Sequence, residues 1–423
     1  VQVVEQPQDE NIDLLDAAQD ASIIKFVNQV LVDAIERRAT DVHFEPFEQR
    51  LSVRFRIDGV LVDAQIPGDV KRFHAAIVSR LKILSHLDIA EKRLPQDGRI
   101  KLRVAGRDVD VRVSVIPMLF GEAVVLRLLD RDAPLLGLEN LGMFEDDRAV
   151  FERVLGLPHG IVLVTGPTGS GKTTTLYGAL SRINDIERKI ITIEDPIEYH
   201  LEGVNQIQVD TKTGLTFARG LRSILRHDPD VVLIGEIRDR ETAEIAVQAS
   251  LTGHLVFSTL HTNDAPSTVT RLIEMGVEPF LVWEALEMVV AQRLVRLICT
   301  DCRQAVGIEE MRRIATELRM PLPAQLYRGR GCAACNGTGY RGRRGIYEMM
   351  PVTDALRTHI SERVSSEVNA RSAAAAGMRT LRQSGWRLIE NGRTTVEEVL
   401  RVTKDERSAA DGDQPGNDNH AAV

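Results

Sequence analysis

From residue 12 to residue 38 apolar side chains recur at helical spacing, with Ile23, Ile24, Phe26, Val27, Val30, Leu31, Ala34 and Ile35 on one stripe, which predicts a long helix. The period then shortens to two. Residues 53–57 alternate and run into Asp58-Gly59, a hairpin signal, and Leu61-Val62 resumes the sheet. A helix is expected from about residue 70 to 84, a turn at Leu94-Pro95-Gln96-Asp97-Gly98-Arg99, and strands at 107–115 and 123–129. In the first of these strands Asp110, Arg112 and Ser114 share one face while Val109, Val111, Val113 and Val115 fill the other. The pattern is that of an α+β domain over residues 12–132 with antiparallel pairing, ended by Asp130-Arg131-Asp132-Ala133-Pro134.

Beyond Pro134 short continuous apolar runs alternate with helical stretches. Residues 161–164, 190–193, 231–234 and 255–259 have the composition of parallel strands buried on both faces, so residues 133–298 form a doubly wound α/β domain. A cysteine module is expected over 299–345 and a helical segment over 346–405. The polar ends, residues 1–11 and 406–423, carry no apolar period and are expected to be flexible. Val1 as first residue points to a piece of a longer chain.

Composition narrows the partners. Lys and Arg number 53 against 61 Asp and Glu, a net charge of −8, and aromatics make up only 4% of the chain. Neither the charge nor the stacking surface suits a protein that coats nucleic acid. No uninterrupted apolar run approaches the roughly 18 residues of a bilayer span, and no signal peptide opens the sequence, so a soluble, cytoplasmic protein is expected.

Chemistry concentrates in three places. Gly166-Pro167-Thr168-Gly169-Ser170-Gly171-Lys172-Thr173 matches G-x-x-x-x-G-K-[ST] and lies between an apolar strand and the helical stretch that starts at Thr174. Glycines let backbone N–H groups and a helix N-terminus face an anion. Lys172 is placed to reach the β- and γ-phosphates and Thr173 to hold Mg²⁺, so ATP binding is predicted. The rival reading is an ordinary glycine-rich turn. Two neighbouring strands end in acids, Glu194-Asp195 and Gly235-Glu236. One such acid suits a metal-organising group and the other a base for water, and the pattern does not say which is which. Gly235 stands where an Asp usually precedes the second acid. His254 and His261 flank the run 255–260, and a neutral imidazole at that sheet edge is a candidate γ-phosphate sensor.

The third place is C-x₂-C-x₂₉-C-x₂-C, formed by Cys299, Cys302, Cys332 and Cys335. Two such knuckles complete a closed tetrahedral site, which predicts structural Zn²⁺ rather than disulfides. The alternative, a redox dithiol, would not need two pairs. Tyr340-Arg341-Gly342-Arg343-Arg344 beside it is read as a solvated or interfacial face.

These motifs occur in a familiar order. The phosphate loop, Ile191-Thr192-Ile193-Glu194-Asp195-Pro196, Gly235-Glu236-Ile237-Arg238-Asp239 and Thr252-Gly253-His254 through His261 resemble the secretion ATPases of the type II/type IV pilus superfamily. Arg37-Arg38-Ala39-Thr40-Asp41-Val42-His43, Leu94-Pro95-Gln96-Asp97-Gly98-Arg99 and Ala291-Gln292-Arg293-Leu294-Val295-Arg296 extend the likeness over nearly all of residues 12–404. Within the superfamily the type II secretion branch matches best, on residues 106–114 and 241–254, with the pilus-extension branch close behind. The resemblance implies a PAS-like lobe before a RecA-like ATPase lobe, assembled as a homo-hexamer that drives pseudopilus assembly through inner-membrane platform partners. It further implies that Arg112 and Arg127 complete the nucleotide site and that Arg222 and Arg226 serve interface or coupling roles. Family members usually carry a further N-terminal domain that binds the platform, so recruitment by this chain alone is in doubt. A DNA translocase on a RecA-like core and a non-hydrolysing NTP-binding scaffold are the rivals from other classes.

Overall fold

The chain begins with α1 (Leu14–Glu36), whose apolar stripe is buried against a six-stranded antiparallel sheet. The computed structural model describes residues 14–68, 70–104, 107–130, 137–318 and 323–403, and divides into two compact units, Val1–Pro134 and Leu135–Val423. The predicted flexible ends at 1–11 and 406–423 lie outside the described residues.

In the first unit β1 (Ala39–Pro46), β2 (Leu51–Ile57) and β3 (Val60–Asp63) are followed by α2 (His74–Leu84), then β4 (Gln96–Val104), β5 (Arg107–Met118) and β6 (Gly121–Asp130). The sheet order is β3-β2-β1-β6-β5-β4. Phe44, Val53, Phe55, Val111, Val113 and Leu126 point to the face that α1 and α2 cover. Asp58 and Gly59 both take positive φ, 49° and 85°, which makes the expected two-residue hairpin. One expectation shifts: Gln96 to Arg99 begin strand β4 instead of forming a turn. Gly98 reads as a turn signal, yet here it permits close approach, because a Cβ on it would lie 2.7 Å from the Ser85 carbonyl oxygen.

The second unit runs α3 (Glu145–Leu155), β7 (Gly160–Thr165), α4 (Lys172–Ile183), β8 (Ile190–Glu194), β9 (Asn205–Gln208), α5 (Phe217–Ile224), β10 (Val231–Ile234), α6 (Arg240–Leu251) and β11 (Leu255–Leu260). It continues with α7 (Ala265–Glu274), α8 (Pro279–Ala285), β12 (Leu286–Ile298), β13 (Arg303–Ala305), α9 (Ile308–Leu318), β14 (Tyr327–Gly329) and β15 (Tyr340–Pro351). Four helices close it: α10 (Asp354–Ser361), α11 (Ser366–Ala375), α12 (Leu381–Glu390) and α13 (Val396–Val402). The sheet order is β15-β12-β7-β11-β10-β8-β9. All neighbours pair in parallel except β12 with β15. Both faces are covered, by α3 and α4 on one side and by α5 to α7 on the other, so alternate residues of each strand enter separate cores. The 345/346 boundary expected between cysteine module and helical segment falls inside β15, because that strand leaves the cysteines and pairs with β12 over Tyr340–Pro351.

Candidate nucleotide site and metal centre

β7, buried at every position, delivers Gly166, and the loop 166–171 hands over to α4 at Lys172. Gly166, Gly169 and Gly171 take φ of 147°, 78° and 90°, values open to glycine and strained for other residues. A Cβ on Gly166 would lie 2.6 Å from the Gln292 carbonyl oxygen, and one on Gly171 2.8 Å from Gln292 Nε2. The loop thus rests on β12 with no room for side chains beneath it. Pro167, Thr168 and Gly169 are exposed, Thr173 is half-buried and Thr174 exposed. Ser170 Oγ is buried inside the loop and meets no hydrogen-bond partner.

Lys172 folds back on this cradle, and its Nζ donates to Gly166 O at 2.8 Å and Pro167 O at 3.1 Å. Burial pushes its ammonium down to about 8, Glu236 opposes that shift and Arg293 adds to it. A lysine holding neutral carbonyls at the mouth of a helix N-terminus gains by exchanging them for phosphate oxygens. The cradle, the lysine and the orphaned serine hydroxyl fit a phosphate chain, and Thr173 is the residue placed to hold its metal.

The two strand-tip acids have different surroundings. Glu194, the last residue of β8, is 3% exposed and fully engaged. Tyr177 OH from α4 donates to Oε2, while Thr192 Oγ1 at 2.6 Å and Gln206 Nε2 at 3.2 Å donate to Oε1. Burial and the Glu194 charge keep the Tyr177 phenol protonated. Gly235 is part of this packing, since a Cβ there would lie 3.3 Å from Glu194 Cα. Glu236, one residue on, is half-buried and meets fewer partners. Arg238 donates to its Oε1 and His261 Nε2 lies 3.2 Å from its Oε2. Burial works to raise the Glu236 carboxyl, but Arg238 and His261 outweigh it and hold the group below the usual carboxylate range.

The histidines separate. His261, at the carboxyl end of β11, joins Glu236 at the phosphate edge. His254 precedes the strand and lies at the amino edge, where Nδ1 is 2.8 Å from Ala249 O and 3.2 Å from Thr252 Oγ1. The expectation that both share one edge is corrected by the six buried residues of β11 between them. Arg222 on α5 pairs with Glu241 at 2.5 Å. Arg226 lies just past the end of α5 and bonds Arg222 O and Ser223 Oγ at 2.9 and 3.2 Å. Both therefore make local links on an exposed face.

In the first unit Arg112 and Arg127 are direct cross-strand partners on β5 and β6. The same row continues to Arg99 on one side and to Asp41 and Arg56 on the other. Asp41 accepts from Arg127 Nε at 3.1 Å and from Thr40 Oγ1 at 2.8 Å. The sequence did not single out Tyr177 or the Gln292-Arg293 pair for a role at the nucleotide site, nor Asp41 as the partner of Arg127 in the first unit. A Gln-Arg dipeptide inside the apolar run of β12 was the available signal for the last.

The four cysteine sulfurs converge. All lie within 4.8 Å of one another, with Cys299–Cys332 at 3.8 Å, Cys302–Cys335 at 3.9 Å and Cys332–Cys335 at 3.7 Å. A tetrahedron with metal–sulfur bonds of about 2.3 Å has edges of about 3.8 Å. Burial works to raise the Cys335 thiol, but N–H groups of Cys332 and Gly339 at 3.2 and 3.3 Å outweigh it and bring it down to about 7. The donor set fits a four-thiolate metal site such as zinc's, closed to substrate.

The family model for type II/IV secretion system proteins matches residues 16–401. The chain is 54% identical over 397 residues to type II secretion system protein E of Pseudomonas aeruginosa, covering 94% of this chain and 78% of the relative. It is 49% identical over 409 residues to the type IV pilus assembly ATPase PilB of Myxococcus xanthus, covering 96% and 72%. Among solved structures, the pilus retraction motor PilT with bound ADP aligns with a TM-score of 0.59 at 27% identity, covering 90% of this chain and 97% of that one. No helix among the described residues is long and apolar enough to cross a membrane. A phosphate loop facing an ionised acid, on this sheet and with these relatives, makes the chain a secretion ATPase of the type II/IV secretion system protein family.

Proposed function

We propose that the chain is the Mg²⁺-dependent ATPase motor of a type II secretion system, with Glu236 as the acid that activates the attacking water. The observation that carries this reading is the contrast between the two strand-tip acids. Glu194 answers three donors from the protein interior and is 3% exposed, whereas Glu236 is half-buried at the phosphate edge, held below the usual carboxylate range by one partner on each oxygen, Arg238 and His261, and close enough to Lys172 to perturb it. A base for water must keep a lone pair on the reacting side. Glu194 is then a strut that joins α4, β8 and β9.

In this reading ATP replaces the two carbonyls as the partner of Lys172, and the N–H groups of residues 166–173 cradle its phosphates. Mg²⁺ held through Thr173 supplies charge neutralisation at the phosphate oxygens. Glu236 accepts the proton of the attacking water on the remaining lone pair of Oε1, the oxygen that Arg238 also bonds, and His261 on Oε2 orients that carboxylate. Arg112 and Arg127, raised from rigid strands, supply the guanidinium groups that meet transition-state charge in an assembled homo-hexamer. The four thiolates hold a structural Zn²⁺. Work is delivered at the cytoplasmic face of the inner membrane through platform partners, as pseudopilin assembly. The 49% identity to a pilus assembly ATPase supports a second reading, type IV pilus extension, and complementation of a strain lacking either motor separates the two.

The chemistry is tested by ATP turnover as a function of protein concentration. Lys172→Ala and Glu236→Gln are expected to fall by at least about a hundredfold, Arg112→Ala by about a thousandfold, and wild-type turnover per chain to rise with assembly. Hydrolysis by Lys172→Ala at the wild-type rate overturns the reading.

A further inference from the structure

Beneath the phosphate loop lies a cation that the chemistry above does not use. Arg293 belongs to β12 and is 8% exposed, yet no carboxylate among the described residues comes within ion-pair distance of it. Its Nη1 donates to Gln292 O at 3.0 Å and its Nη2 to Asn263 O at 2.8 Å, both neutral acceptors. Glu348 and Asp264 act on it only from farther away. Glu348 is itself taken up by the N–H groups of Ala265 and Leu381 at 2.7 and 3.2 Å. A guanidinium removed from water and answered only by dipoles is costly for the folded chain. Arg296 on the same strand, by contrast, is paired with the buried Glu398 at 2.8 Å.

The location explains what Arg293 is for. A Cβ placed on Gly166 would lie 3.0 Å from Arg293 Nη1, so the guanidinium touches the first residue of the loop from below. Its second bond, to Asn263, reaches the segment that follows His261. Gln292 beside it completes the floor: Thr175 of α4 donates to its Oε1 at 2.8 Å. The charge therefore stands where the field of a polyphosphate is strongest, shielded from solvent on its own side.

We propose that Arg293 is a fixed positive charge built under the phosphate loop, and that its missing counter-ion is the phosphate chain of the bound nucleotide. This rests on the ATP-binding reading above and adds a positioning residue to it. The charge acts through the loop without touching substrate, and its effect must grow with the number of phosphates. Conversely, the nucleotide-free chain carries the cost of the buried charge, offset only by its bonds to the Gln292 and Asn263 carbonyls, so removing the charge is expected not to destabilise it.

The test compares the full chain with Arg293→Gln and Arg293→Lys, titrated with fluorescent AMP, ADP and ATP analogues in Mg²⁺ and melted with and without ADP. For Arg293→Gln the expected results are an unliganded melting temperature equal to or above wild type, ADP binding weaker by about tenfold, ATP binding weakened further, and AMP within about twofold. Arg293→Lys, which keeps the charge, is expected within about threefold for all three. Three outcomes overturn the proposal: unchanged ADP and ATP affinity, equal loss for all three nucleotides, or a chain that melts lower or fails to fold without the guanidinium. Lys172→Ala is run beside them. If it binds ATP as wild type does, the ATP-site reading itself falls; if it loses ATP while Arg293→Gln does not, only the role of Arg293 falls.

Discussion

At the scale of single residues, what decides chemistry here is how many donors a carboxylate already has. Glu194 answers three donors in a dry pocket, so replacing it by glutamine leaves one donor without an acceptor. Glu194→Gln is expected to cost about 1–3 kcal/mol of stability, with turnover per folded chain within about tenfold of wild type. Thermal melts and single-turnover rates on the same preparation check this; a lost chemical step with an unchanged melt would assign Glu194 to catalysis. Lys172 gives the pH dependence. Its free ammonium titrates near 8, and phosphate binding favours the charged form. Turnover at low MgATP (kcat/KM) is therefore full below that value and declines as pH rises through about 8, because the deprotonated lysine must take up a proton to bind. A flat profile from pH 7 to 9.5 would show that the lysine stays charged in the free enzyme.

At the scale of elements, the sequence was most legible where both faces of a strand are buried. β7, β8, β10 and β11 are short apolar runs with turn residues at each end, and nothing competes with a parallel strand for them. β12 was missed because Gln292, Arg293 and Arg296 interrupt its apolar run and blur the period. β15 was missed because it opens on Tyr340-Arg341-Gly342-Arg343-Arg344, which has the composition of a loop. The placement of the histidines was hidden for another reason: adjacent motifs in sequence lie a full strand apart in space. The polar groups that look out of place in these strands are paid for by buried partners. Glu398 on α13 bonds Arg296 of β12 at 2.8 Å and Arg401 at 2.7 Å, while the Arg296 guanidinium stacks 4.1 Å over the ring of Tyr340 on β15. Burial works to raise the Glu398 carboxyl, but the two arginines outweigh it and hold it below the ordinary range. Its folded pKa is depressed, so its contribution is present above the unfolded value of about 4.3 and is lost as pH falls through the folded one. Glu398→Gln should melt lower than wild type at pH 7, by about 3 kcal/mol. The two melting curves should converge below about pH 4, and a constant gap down to pH 3 would assign the effect to packing instead of charge.

At the scale of the second unit, the cysteine centre and the phosphate loop share one pair of strands. β12 leads into Cys299 and β15 leads out of the region that follows Cys335. Between them the described residues carry two short strands, β13 and β14, the helix α9 and two 3₁₀ turns, Thr300–Cys302 and Ala333–Cys335. Gly339 O accepts from Cys299 N at 3.0 Å, and from there β12 and β15 pair as far as Met288 and Pro351. β12 also pairs with β7 and carries the Gln292-Arg293 floor of the loop. A four-thiolate metal at that end would fix the register of β12 against β15, and through it the surface on which Gly166 and Gly171 rest. Sequence spacing showed the ligands, but the mechanical connection depends on which strands they terminate. If this is correct, metal removal acts on the nucleotide site without touching it. The protein is expected to hold about one zinc per chain, measurable by elemental analysis. Cys335→Ser or strong chelation should lower the melting temperature of the second unit and weaken ADP binding together, both recovering when zinc is returned to the chelated chain. A zinc-free protein that melts lower yet binds ADP with wild-type affinity would uncouple the two ends of β12 and leave the metal with a purely local role.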